Sequence, residues 1–258
     1  MGMFTGKNAI VTGAAAGLGQ VVALELAKEG ANVFIGDFQD PSDTIEKIRH
    51  AGGNAAYSLC DIRNDDEVKA MVSAAADYFR NRIDILVNNA GFNGKASLVK
   101  DMKSEDWENT LDINLTGTMR VTRAVIPYMI EQNEGRIVNV ASNVARRGLP
   151  YRSDYVSSKW AVLGLTQTLA LELVDHNVRV NAVCPGPILV DRIYQVMGMH
   201  AEAEGLKLED VEKDWANVPM KRFIKPEEVA SVIQFLASDA SSAMTGQALN
   251  VTGGHIMT

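Results

Sequence analysis

The chain has 258 residues, 47% hydrophobic and 22% charged, with 21 glycines and 7 prolines in no periodic pattern. This excludes collagen-like and low-complexity classes and leaves enough chain for a sizeable core without disulfide or metal staples. Lys and Arg number 25 against 32 Asp and Glu, a net charge of −7, which argues against a nucleic-acid binder.

No apolar run is long enough to span a bilayer, and Met1–Lys7 carries no leader pattern. We therefore expect a cytoplasmic protein with no membrane partner and with Cys60 and Cys184 as free thiols.

The first strand is expected over Ala9–Thr12 and the first helix over Gly17–Glu29. Between them, Gly13, Ala16, Gly17, Leu18 and Gly19 form a Gly-x3-Gly-x-Gly turn. Such a turn lets a pyrophosphate approach the backbone, and the helix N-terminus offers free N–H groups to it. The alternative is an ordinary tight turn.

A second strand, Asn32–Gly36, runs into Asp37 and Phe38. A carboxylate here accepts hydrogen bonds from both hydroxyls of an adenosine ribose and repels a 2′-phosphate. Neither Ala16, Phe38 nor Gln39 supplies a compensating cation, so NAD is expected over NADP. The alternative is a solvated Asp at a strand end. A helix over Ser42–Ala51 leads to the third strand, Ala55–Leu59, followed by Asp61 and Ile62, which suit an adenine.

After a helix over Asp65–Arg80, the fourth strand, Ile83–Asn88, continues into Asn89, Ala90 and Gly91, where small residues leave room for a ribose and Asn89 can brace the sheet. A long helix is expected over Ser104–Gln132. The fifth strand, Arg136–Ala141, ends at Ser142, on the sheet edge where ligands bind. The helix over Asp154–Asp175 carries Tyr155 and Lys159 four residues apart, on one face. A phenol is a poor base at neutral pH until a neighbouring cation lowers its pKa.

The sixth strand, Val178–Val183, precedes a stretch from Pro185 to about Lys225 with no strand pattern and many acids, read as a lid at about residues 187–225. The alternative is a surface excursion without function. Its Met197, Met199, Trp215 and Met220 form either an apolar pocket wall or a small core. A helix over Pro226–Ser238 and a strand over Ala248–Val251 close the chain. Seven strands alternating with helices predict an α/β Rossmann-type doubly wound sheet of about seven parallel strands, helices on both faces, in a single domain spanning residues 1–258.

Taken in order, Thr12-Gly13-x3-Gly17-x-Gly19, Asp61, Asn88-Asn89-Ala90-Gly91, Asn114, Ser142, Tyr155-x3-Lys159 and Pro185-Gly186 resemble a short-chain dehydrogenase/reductase over nearly the whole chain. The resemblance implies a homotetramer and assigns roles. Tyr155 is the general acid/base; Lys159 binds the nicotinamide ribose and depresses the tyrosine's pKa; Ser142 orients the substrate oxygen; Asn114 holds a water that links Lys159 to solvent. Where the family commonly places Thr four residues after Pro-Gly, this chain has Val190, which leaves backbone atoms of Ile188 and Val190 to meet the carboxamide.

Asn93, Asn143, Arg146, Arg147, Tyr151, Arg152 and Arg192 are the candidate substrate contacts. Arginine suits carboxylate, phosphate or sulfonate groups, so a polar substrate is expected: a polyol, sugar or sugar acid, neutral or anionic. The alternative places these arginines on the surface or in a subunit interface. Two other functions compete: a 3-oxoacyl or other keto reductase of the same fold, and a non-catalytic dinucleotide sensor. The four histidines are scattered without metal-ligand spacing, so no metal site is expected.

Overall fold

The computed structural model describes residues 2–258. Seven parallel strands form one sheet: β1 (Asn8–Thr12), β2 (Asn32–Asp37), β3 (Asn54–Leu59), β4 (Ile85–Asn88), β5 (Gly135–Val140), β6 (Val178–Pro185) and β7 (Ala248–Val251). Their order is β3-β2-β1-β4-β5-β6-β7. The order reverses between β1 and β4, which opens a crevice at the C-terminal strand ends.

Alternation along the strands divides the core into two layers. Val11, Val33, Val87 and Val138 point to one face and pack against Val22 and Leu26 of α1 (Gly17–Lys28) and Val229 and Ile233 of α9 (Pro226–Ala237). Ile10, Phe34, Leu86 and Ile137 point to the other face. They meet Val68 and Met71 of α3 (Asp65–Tyr78), Val121 and Val125 of α5 (Thr118–Glu131) and Leu169 and Leu173 of α6 (Ser153–Leu173). Helix α2 (Ser42–His50) adds Ile45 and Ile48 to the first layer. Asn64 caps α3 by accepting from the Asp66 and Glu67 amides, which sets its start.

The expected single helix over 104–132 is three pieces. Helix α4 (Ser104–Leu111) passes into a π-helical turn, Asp112–Gly117, before α5 begins. The wider turn shifts the register and buries Asn114 and Gly117. Asn114 holds it there by hydrogen bonds to both backbone groups of Phe92.

Between β6 and α9 lies an insert of two helices, α7 (Asp191–Glu204) and α8 (Leu208–Ala216). Met197, Ala201 and Val211, with Ile193, Trp215 and Phe223, give it a core of its own. Its base is closed by backbone bonds from Leu189 N to Ile224 O (2.8 Å) and from Ile224 N to Pro187 O (2.9 Å). No helix of the described residues is long and apolar enough to cross a membrane.

Candidate active site

A cleft of about 1150 Å³ runs along the C-terminal strand ends, roofed by the insert. The β1–α1 turn forms its floor. Gly13 has φ +66°, and a Cβ there would stand 2.6 Å from the Ala90 Cα. A Cβ on Gly19 would collide with the Gly13 carbonyl and with the Asn89 amide. The turn is thus pressed against the end of β4. Asn89 Nδ2 donates to the carbonyls of Thr12 (3.0 Å) and Gly13 (2.8 Å), and Thr12 Oγ1 accepts from the Asn89 and Ala90 amides. The α1 N-cap, Ala16, has no side-chain cap, and the first turn carries no acid. Its open amides face the cleft beside Gly17 and Leu18, the arrangement a pyrophosphate requires.

At the adenosine end, Asp37 is buried, accepting from Ala15 N (2.8 Å) and Gln39 N (2.9 Å). Phe38 beside it is 70% exposed, a free apolar platform at the rim. Asp61 and Ile62 line the cleft as expected. Asp61 is gripped by Arg63, whose Nε donates to both carboxylate oxygens at 3.0 Å, and this bond holds the carboxyl below its ordinary pKa. Arg63 also lines the cleft, a cation the sequence reading overlooked, but its charge is matched by Asp61.

At the opposite end, Ser142 follows β5, and Tyr155 and Lys159 rise from the first turns of α6. Burial pushes the Tyr155 phenol above its usual pKa; the Ser142 hydroxyl, Arg152 and Arg192 pull it back. The sequence reading gave that pull to Lys159. Instead, Lys159 Nζ lies 5.8 Å from the Tyr155 ring centre and donates to the Val140 carbonyl at 2.8 Å. Burial, aided by Arg192, lowers the Lys159 pKa to about 8. Asn114 is not in the cleft. Its Nδ2 also donates to Ser158 Oγ (2.9 Å), so its side chain locks the segment after β4 onto α6.

Gly91, Pro185, Gly186, Ile188 and Val190 reach the cleft, but the backbone of Val190 is engaged within the insert. Its N–H donates to Ile188 O and its carbonyl accepts from Ile193 N. Of the two expected backbone contacts, Ile188 alone keeps an unengaged N–H among the described residues.

Asn93, Asn143, Arg147, Arg152 and Arg192 line the cleft; Arg146 and Tyr151 do not. Arg146 turns toward β7 and donates to Ala248 O at 2.9 Å. Tyr151 stands edge-on to His200, with ring centres 6.2 Å apart, and its carbonyl accepts from Ser97 N. Arg146 ends the short helical turn Asn143–Arg146, and Tyr151 lies beyond it with a left-handed backbone, φ +63°. His200, Asp214, Trp215 and His255 also line it; they come from the insert and the C-terminal segment, and no local motif marks them. Met197 is core, and Met220 is exposed. Among the described residues no cluster of His, Cys, Asp and Glu suits a metal.

A parallel sheet in this order, a glycine turn under one end of a cleft and Ser142, Tyr155 and Lys159 at the other define a dinucleotide-dependent oxidoreductase. The family model described as enoyl-(acyl carrier protein) reductase matches residues 13–255. The chain belongs to the short-chain dehydrogenase/reductase family. A 3-oxoacyl-[acyl-carrier-protein] reductase, FabG, of Thermotoga maritima is 40% identical over 98% of each chain. The structure of an NAD+-bound xylitol dehydrogenase is 36% identical, with a TM-score of 0.94 over 97% of this chain and 99% of that one. An actinorhodin polyketide ketoreductase with NADPH is 35% identical, with a TM-score of 0.93 over 99% of both.

Proposed function

We propose that the chain is an NAD-dependent dehydrogenase that interconverts a secondary alcohol and a ketone on a polar substrate: a polyol, sugar or sugar acid. The observation that carries this is one continuous cleft with the Asp37 carboxylate at one end and the Ser142–Tyr155 pair at the other. Among the described residues Asp37 accepts only from backbone N–H groups and no cation pairs with it, which suits two ribose hydroxyls and opposes a 2′-phosphate. The xylitol dehydrogenase's NAD+ agrees with this reading.

NAD, when bound, supplies the hydride acceptor, or in the reverse direction the donor. Tyr155 Oη takes the carbinol proton and returns it in reduction. Ser142 Oγ orients the carbinol oxygen beside it. Lys159, fixed by Val140, holds the nicotinamide ribose. Gly13, Gly17 and Gly19 admit the pyrophosphate; Ile62 and Asp61 flank the adenine. Asn114 braces the site and keeps the relay role that the family resemblance assigns to it. The chain then works as a single catalytic domain in which the insert at 187–225 is the substrate lid. Arg192 tethers that lid by donating to the Gly91 carbonyl at 2.9 Å. A homotetramer in the cytoplasm completes the reading.

The test is a side-by-side comparison of NAD and NADP over a panel of polyols, sugars and sugar acids, and of NADH and NADPH with acetoacetyl thioesters. Turnover of the first set with NAD supports the reading. Turnover of the thioesters with NADPH alone replaces it with the 3-oxoacyl reductase alternative, which the 40% identity to the FabG of Thermotoga maritima favours.

A further inference from the structure

We infer that the substrate carries a carboxylate and that Arg152 is its anchor; this rests on the polar-substrate reading and narrows it. Arg152 is only 2% exposed, yet it lines the cleft, and its Nη1 has no hydrogen-bond partner among the described residues. Its guanidinium lies 5.6 Å from the Tyr155 ring centre, beside the group that handles the reacting oxygen. A buried donor of a cation left without a partner is costly unless a ligand completes it. Asp154, the acid whose charge acts on Arg152, makes no hydrogen bond to it: it is itself fully buried, with one carboxylate oxygen accepting from Thr110 Oγ1 at 2.7 Å and the other without a partner among the described residues, so it offsets Arg152 through space alone.

Other cations line the same cleft. Arg147, after β5, has its own Nε without a partner, while the exposed Arg192 of α7 donates to the Gly91 carbonyl. Lys159 stands behind Tyr155. Against these cations the cleft sets Asp191 and Asp214, both exposed at its rim. Arg152 is also the N-cap residue of α6, which has no side-chain cap, although Asp154 in the first turn already complements the helix dipole there. An anion supplied by the ligand gives Arg152 Nη1 the partner it lacks. A planar carboxylate matches the guanidinium fork with two parallel bonds. With the Asn93 amide and the Asn143 Nδ2 available for hydroxyls (Asn143 Oδ1 already accepts from Ser142 Oγ), the chemical class is a hydroxy acid with its carboxylate a few carbons from the carbinol.

The test is calorimetric binding to the full chain saturated with NADH. A hydroxy acid forms a dead-end complex with the reduced cofactor, so the readout needs no turnover. Matched pairs are compared: gluconate with sorbitol, xylonate with xylitol, 3-hydroxybutyrate with 1,3-butanediol. The expected result is that at least one acid binds about tenfold or more tightly than its neutral partner. Arg152→Met is expected to weaken that acid by about tenfold to a hundredfold, the range of a charge-assisted hydrogen bond, and to collapse the acid-over-neutral ratio. Arg152→Lys, which keeps the charge without the fork, is expected to restore part of it.

The inference is overturned if no acid outbinds its neutral partner, or if glucose 6-phosphate binds where the acids do not. It is also overturned if Arg152→Met weakens both members of a pair equally, the mark of a merely structural stack on Tyr155. Should the enzyme instead turn over thioesters with NADPH, the proposed function falls on that assay, while the same binding ratios, read with NADPH as the saturating cofactor, still decide the carboxylate.

Discussion

The two ends of the cleft differ in how their polar groups are satisfied. At the adenosine end Asp37 is held by two backbone amides, Asn89 bonds two carbonyls of the glycine turn, and Arg63 is neutralised by Asp61. At the substrate end Arg147 Nε, Arg152 Nη1, His200 Nδ1 and His255 Nδ1, and Asp154 Oδ1 beside Arg152, are buried without partners among the described residues. Buried polar groups are ordinarily satisfied, and an exception that lines a cleft is one a ligand or ordered water can complete. The first end is built for a ligand whose shape is constant; the second is left open for one that varies within a fold.

Four variants break or sharpen this contrast. Tyr155→Phe removes the proton carrier at the open end; kcat is expected to fall about a thousandfold, within the range for general acid–base groups, while the NADH dissociation constant measured by fluorescence stays within about twofold of the parent's. Unchanged turnover would remove the mechanism altogether. Ser142→Ala should lower kcat by about a hundredfold, as for loss of one positioned oxyanion donor, with stopped-flow hydride transfer as the readout.

Asp37→Ala acts at the closed end, where it should cut the NAD-over-NADP ratio of kcat/KM by about tenfold through loss of a repulsive element. A ratio equal to the parent's would refute the cofactor assignment. The smallest effect concerns stability. Lys159 is charged and buried, its folded pKa at about 8 against 10.5 when exposed. Its folded pKa is depressed, so the charge destabilises the fold below pH 8, and that destabilisation is relieved as pH rises from about 8 to about 10.5. Lys159→Met should therefore be inactive yet more stable at pH 7 by about 1–2 kcal/mol, after loss of the Val140 bond is set against it. Melting curves should show the gain fading between pH 8 and 10.5; a variant less stable at every pH contradicts the argument.

Much of the site was legible in the chain because its parts are local. The β1 turn, Asp37 and the Tyr155–Lys159 pair each sit within a few residues of a strand end or helix start, where spacing alone constrains direction. The split of the long helix was not legible, because a π turn at Asp112–Gly117 is imposed by Phe92, far away in sequence. Nor was the fate of the arginines: Arg146 and Arg147 are adjacent in sequence, yet one bonds to β7 and the other faces the cleft.

The sequence by itself determined the parallel sheet, the ends of most elements and the residues on which the proposed reaction rests, since hydrophobic periodicity and glycine placement act over short spans. Tertiary structure alone decided which charges stand unpaired around Tyr155. That depends on which side chains β5, the insert and the C-terminal segment bring together, and on how deeply burial strips them of water.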